Sequence, residues 1–136
     1  MPKIKRIDHI AVLVENLDET LAFWQDALGL DLSHIQDIPS EMAKIAFLPV
    51  GGSEVELVHP TTDDSGLARF LEKRGPGMHH ICLEVEDIEG MLARLKEKGI
   101  QLINEQPKMR TDGKKYAFIH PKSAYGVMVE LYELPA

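Results

Sequence analysis

The chain has 136 residues, 44% of them apolar and 27% charged, and a formal net charge of −7; this fits one soluble domain, or two small units sharing a core. The negative balance excludes a nucleic-acid backbone as partner, since phosphate binding needs a basic surface, but it leaves room for a small anion at a local basic patch. No apolar run approaches the roughly 20 residues of a membrane span, the basic start lacks the apolar stretch of a secretory leader, and Cys82, the one cysteine, has no disulfide partner; a cytoplasmic protein without a membrane is expected.

Residues 5–15 alternate apolar and polar types as a half-buried strand does. Asn16 or Asp18 can cap a helix carrying Leu17, Leu21, Trp24 and Leu28 at spacings of three or four and ending near Gly29. Strands follow near 31–37, 42–49 and 54–60, with Gly51-Gly52 turning between the last two. Ser65 starts a short helix through Arg74, broken by Gly75-Pro76-Gly77. After the strand around His80, Asp87 caps a helix with Ile88, Met91, Leu92 and Leu95 on one face, stopped by Gly99. Strands near 101–105, 115–120 and 127–133 complete the chain.

This order of elements occurs twice, and the residues repeat with it. Asp8-His9-Ile10-Ala11-Val12 aligns with His79-His80-Ile81-Cys82-Leu83 at an offset of 71 residues. Val14-Glu15-Asn16-Leu17 aligns with Val85-Glu86-Asp87-Ile88, Ala46-Phe47 with Ala117-Phe118, and, after a loop insertion, Val55-Glu56-Leu57 with Val129-Glu130-Leu131. The sequence therefore predicts an α+β protein of two βαβββ modules, 1–76 with the linker helix and 77–136, together one structural domain with a curved sheet.

The duplication gives four residues a meaning that none has alone. A single histidine or glutamate in a strand is usually packed or solvated. His9 and His80, however, are repeat mates, and so are Glu56 and Glu130. Their apolar neighbours Ile10, Val55, Leu57, Ile81, Val129 and Leu131 point to the opposite strand face. Each module would thus present one imidazole and one carboxylate on a concave face. Such a set suits Co²⁺, Ni²⁺, Zn²⁺, Mn²⁺ or Fe²⁺ with positions left for water or substrate. His79 falls on the other face, and His34, His59 and His120 have no symmetric partner and read as surface residues. Cys82 lies on the ligand face by parity and reads as a small buried apolar residue; Phe23, Trp24 and Phe70 read as helix packing.

Ile7-Asp8-His9-Ile10-Ala11-Val12, the run Phe70-Leu71-Glu72-Lys73-Arg74-Gly75 into Gly77-Met78-His79-His80-Ile81, and the tail from Gly113-Lys114-Lys115 through His120-Pro121-Lys122-Ser123 to Val129-Glu130-Leu131 resemble the vicinal oxygen chelate superfamily, which includes glyoxalases, bleomycin-resistance proteins and dioxygenases. Within it they resemble the methylmalonyl-CoA epimerase family over nearly the whole chain. The resemblance implies that His9, Glu56, His80 and Glu130 hold a divalent metal, Co²⁺ before Zn²⁺, Ni²⁺ or Mn²⁺. It implies a CoA thioester as substrate, a homodimer, and epimerisation by 1,1-proton transfer, in which an α-proton leaves one face and returns to the other.

The family base stands in a Pro-Glu-x-Gly run. Here the sequence reads Pro39-Ser40-Glu41-Met42, so Ser40 occupies that place and the glycine is missing. Glu41, one position later, is the expected base, with Glu130 the second candidate. Lys44, Arg110, Lys114, Lys115 and Lys122 form a basic supply for CoA phosphates or the substrate carboxylate, and Ser123 is a candidate hydrogen-bond donor. Three alternatives share the fold. A glyoxalase I-type lactoylglutathione lyase uses the same four ligands and needs no Glu41. A ring-cleaving dioxygenase uses two histidines and one glutamate, so a fourth ligand counts against it. A metal-free small-molecule-binding protein has no reason to keep four ligands in register.

Overall fold

In the computed structural model, which describes residues 2–136, the strand–helix–strand order read from the sequence is present twice. The chain divides into two compact units, one of His9–His79 and one of the residues up to Asp8 together with His80–Ala136. Among the described residues no helix is long and apolar enough to cross a membrane.

The unit of His9–His79 contains most of strand β1 (Ile4–Leu13), helix α1 (Leu17–Leu21), strands β2 (His34–Ile38), β3 (Ala43–Val50) and β4 (Ser53–Pro60), and helix α2 (Gly66–Arg74). The strand order is β2-β3-β4-β1, with β4 and β1 parallel and the other neighbours antiparallel. Gly51, at φ 59°, makes the tight turn that pairs Val50 with Ser53. Strand alternation sorts the core into two layers. Ala11, Leu13, Ala43, Ile45 and Val58 pack against Leu67, Phe70 and Leu71 of α2. Val14, Leu21, Ala46, Leu48 and Leu57 pack on the other face with Leu17 and Trp24.

Asn16 caps α1, its Oδ1 accepting from the Glu19 N–H at 3.0 Å. The expected α-helix to Gly29 does not continue as such. From Ala22 to Ala27 the helix widens to a π turn, with the Leu28 N–H reaching the Phe23 carbonyl at 2.8 Å. The extra residue in the turn rotates the apolar stripe, so Leu28, expected on the core face, is 55% exposed. Ser65 caps α2 through the Ala68 N–H, as expected.

The second unit holds strand β5 (Gly77–Val85) from His80 onward, helix α3 (Ile88–Glu97), and strands β6 (Lys108–Met109), β7 (Lys115–Ile119) and β8 (Val129–Glu133). The order is β5-β8-β7-β6, with β5 and β8 parallel. Val85, Ala117, Ile119 and Leu131 pack against Ile88, Met91 and Leu92 of α3. Asp87 caps α3 through the Gly90 N–H at 3.0 Å, and a Cβ at Gly90 would collide with that carboxylate. Gly99, at φ 76°, closes the helix: its N–H and that of Ile100 return to the carbonyls of Lys96 and Leu95.

The strand expected near 101–105 is replaced by irregular pairing. Leu102 makes an isolated bridge to Ile119, the Ile103 and Asn104 N–H groups both reach the Phe118 carbonyl, and the Asn104 side chain accepts from the Phe118 N–H. A side chain that replaces a ladder carbonyl ends regular pairing, and Pro107 has no N–H with which to resume it. The edge is instead formed by the short β6.

A charged network crosses this unit. Arg6 bonds Asp8 and Glu84, each at 2.8 Å, Lys5 lies 3.4 Å from Glu84, and the Tyr132 hydroxyl donates to Asp8 at 2.7 Å. Glu84 is only 4% exposed, a burial that would be costly without its cations. Burial, then the bond to Asp8 and its charge, pushes the Tyr132 phenol above its ordinary range, and the Glu84 bond raises Arg6. The folded protein therefore keeps the Tyr132 proton after the unfolded chain has begun to lose it near pH ~10. This group's contribution is fully present below that pH and declines by at most about 1.4 kcal/mol per pH unit above it. Urea unfolding of wild type and Tyr132→Phe at pH 8 and pH 11 will show the wild-type advantage shrinking at the higher pH; an advantage unchanged or larger at pH 11 would contradict the assignment.

Candidate functional site

Each unit builds one imidazole–carboxylate pair by the same construction. In the unit of His9–His79, parallel pairing of β1 and β4 sets Ala11 opposite Glu56, so His9 stands two residues before the partner of the glutamate. In the other unit, pairing of β5 and β8 sets Cys82 opposite Glu130, and His80 stands two residues before it. Side chains two apart share a face. His9 Nδ1 lies 3.3 Å from Glu56 Oε2, and His80 Nε2 lies 3.0 Å from Glu130 Oε1. The antiparallel neighbours repeat as well, with Phe47 opposite Glu56 and Phe118 opposite Glu130. The Phe118 ring meets His80 edge-on at 5.4 Å between centroids.

These pairs are sunk in apolar strands. Glu130 is 1% exposed and His9 5% exposed. A carboxylate at that depth requires opposite charge or hydrogen bonds. Glu130 receives both: Oε1 faces His80, and Oε2 accepts from Arg110 Nη2 at 2.9 Å. The donor chemistry fits a divalent ion. Two ligands bound at ~2.1 Å to one ion lie about 3.0–3.4 Å apart for octahedral to tetrahedral angles, and both pairs have separations of that size.

The remaining predicted residues are placed as follows. Glu41 ends a 3₁₀ turn, Pro39–Glu41, exposed and immediately before Met42, whose φ is 52°. Ser40 is exposed in the same turn. Because this segment is a turn, the one-residue displacement does not carry the strand's reversal of face. Lys44 is exposed on β3, in register with His59 and Asp37. Lys114 stands 3.7 Å from Asp112 and 5.6 Å above the Tyr132 ring. Lys115 pairs with Glu89 at 2.9 Å, which raises the ammonium. Lys122 is exposed and its backbone N–H donates to His120 Nδ1; Ser123 Oγ accepts from the Gln101 N–H at 2.8 Å. His79 packs edge-on against Phe70, and His34 stacks on Phe47.

Two features were not anticipated from sequence. The bond from Arg110 to Glu130 spans 20 residues and depends on a hairpin whose register no motif announces. The Arg6–Glu84 pair had a usable signal, since parity puts Glu84 on the same face of β5 as His80 and Cys82 and so flags a carboxylate needing a cation.

Residues 8–118 match the family model of the Glyoxalase/Bleomycin resistance protein/Dioxygenase superfamily, and the chain belongs to that superfamily. The mitochondrial methylmalonyl-CoA epimerase of Homo sapiens is 39% identical over 127 residues, covering 93% of this chain and 72% of the relative. The ethylmalonyl-CoA/methylmalonyl-CoA epimerase of Cereibacter sphaeroides is 38% identical over 133 residues, covering 96% and 99%. A variant of the Streptomyces coelicolor methylmalonyl-CoA epimerase, solved in complex with 2-nitronate-propionyl-CoA, matches with a TM-score of 0.87 and 31% identity over 98% of this chain and 97% of that one. Within the superfamily, the chain belongs to the methylmalonyl-CoA epimerase family.

The two pairs differ in depth, with side-chain exposures of 2% for Glu130 and 13% for Glu56. Glu130→Gln leaves Arg110 and His80 facing a neutral amide and will lower the stability of the chelator-treated protein by about 1.5–3 kcal/mol, the range for hydrogen bonds to charged groups. Glu56→Gln will cost less. Urea unfolding in EDTA checks the order, which an equal or larger loss for Glu56→Gln would reverse.

Proposed function

We propose that the chain is a metal-dependent methylmalonyl-CoA epimerase in which His9, Glu56, His80 and Glu130 together hold one divalent ion, Co²⁺ before Zn²⁺, Ni²⁺ or Mn²⁺. The observation that carries this reading is the coincidence of full-length similarity to epimerases with two histidine–glutamate pairs, each with one buried member, in repeat-related registers. When bound, a divalent ion supplies Lewis-acid stabilisation of negative charge developing on carbonyl oxygen, worth several kcal/mol.

The chain's own residues supply the rest. The substrate's α-carbon lies between a carboxylate and a thioester, and exchange of its proton needs a general base beside that carbon, a role a carboxylate can fill. Glu41 takes the α-proton from one face of that carbon, a proton returns to the other face to complete the epimerisation, and Glu130 is by resemblance the second candidate for this acid–base work. Lys44, Lys114 and Lys122 receive the phosphates or the substrate carboxylate, and Ser123 adds a hydrogen bond. Phe47 and Phe118 each stand opposite a pair glutamate, and the Phe118 ring meets His80 edge-on. The resemblance further supports a homodimer, and the buried thiol of Cys82 is consistent with a cytoplasmic site of action.

Proton exchange tests the assignment. The Co²⁺-loaded protein in D₂O will exchange the α-proton of methylmalonyl-CoA by NMR, and Glu41→Ala will slow that exchange by about 10²–10⁴-fold, the usual worth of a general base. Exchange undiminished in the variant moves the base to Glu130. No exchange in wild type contradicts the epimerase reading, and turnover of a glutathione hemithioacetal would then favour the lyase.

A further inference from the structure

Arg110 was expected to meet substrate, yet its guanidinium is already engaged. It begins the turn between β6 and β7, where its backbone N–H donates to the Lys114 carbonyl at 2.8 Å and its carbonyl accepts from Gly113 at 2.9 Å. From there the side chain lies over the Tyr116 ring, 4.7 Å from its centroid, and reaches Glu130 on β8. Tyr116 stands opposite Tyr132 and Phe118 opposite Glu130, so the arginine runs along one face of β7 to the carboxylate. A turn, an aromatic face and a charge-assisted bond therefore all help to fix it.

The effect on Glu130 is a division of its two oxygens. Oε2 accepts from Arg110 at 2.9 Å, and Oε1 lies 3.0 Å from His80. A carboxylate free at both oxygens can pivot or bind an ion through both; one held at Oε2 offers Oε1 in a fixed direction. We propose that Arg110 is a positioning residue for Glu130, restricting this metal-site carboxylate to a single ligand oxygen, and that it is not the receptor of the substrate carboxylate. The proposal rests on the metal-dependent reading above. Guanidinium geometry is required for it, because a planar fork orients a carboxylate whereas an ammonium is a point charge.

The experiment is a Co²⁺ titration of the full chain by calorimetry, with the visible d–d spectrum recorded at saturation, for wild type, Arg110→Met and Arg110→Lys. Partners that orient a ligand are commonly worth 10–100-fold in metal affinity. Arg110→Met will bind Co²⁺ about 10–100-fold more weakly, with d–d bands altered in position and intensity as the second oxygen joins the ion. Arg110→Lys will recover part of the affinity but not the wild-type spectrum. A purely structural role for Arg110 would change unfolding without changing the spectrum of the folded, saturated protein. An unchanged spectrum and affinity in Arg110→Met overturns the proposal, and if KM for the thioester rises at the same time, Arg110 returns to the substrate-binding set. Wild type that takes up no Co²⁺ removes the metal reading and this inference with it, a result separable from the others because it appears before any substitution.

Discussion

The parallel pairing of the first and last strands in each repeat is the constraint from which the site geometry follows. β1 lies against β4 and β5 against β8, and in both cases the glutamate faces the residue two positions beyond the histidine. A shift of one residue in either register would send that glutamate to the opposite face of the strand. What fixes the register is the apolar alternation around it. Ala11 and Leu13 follow His9 into one core layer, and Leu57 goes to the other with Val14 and Leu48. In the second unit, Leu131 beside Glu130 packs under α3 with Ala117 and Ile119. The hydrophobic pattern that folds each unit is thus the same pattern that aims its imidazole and carboxylate.

Burial then imposes its own requirement. A carboxylate as deep as Glu130 or Glu84 requires opposite charge or hydrogen bonds, and the second unit supplies cations twice on the same side of its sheet. Arg6 and Lys5 serve Glu84, while Arg110 serves Glu130. The two arginines arrive from different elements, one from the start of β1 and one from the turn before β7. Both hold an oxygen of a glutamate whose strand also carries, or pairs with one that carries, a member of the histidine–glutamate pairs.

Much of this was legible in the sequence because duplication doubles a weak signal. His9 alone is uninformative; His9 with His80, and Glu56 with Glu130, each in the same apolar setting, identify the four residues and the strand face they share. The caps at Asn16, Ser65 and Asp87 and the stop at Gly99 were legible for local reasons, since each is settled by one side chain or one backbone conformation. What escaped was non-local or degenerate. The π turn at Ala22–Ala27 inserts one residue's worth of rotation, and the spacing of Leu17, Leu21 and Trp24 fits it as well as it fits an α-helix. The edge near 101–105 looked apolar enough for a strand, but the Asn104 side chain takes the place of a ladder acceptor. The engagement of Arg110 with Glu130 depends on a hairpin conformation, so its charge was readable and its target was not.

The proposed function requires His9, Glu56, His80 and Glu130 to share one divalent ion. Co²⁺ titrated into the chelator-treated protein and followed by calorimetry measures this directly. One ion per chain is expected, lost when a member of either pair is truncated, as in Glu56→Ala or His80→Ala. Two independent ions per chain, or a single ion indifferent to one of those truncations, would show that the pairs do not share a metal and would contradict it.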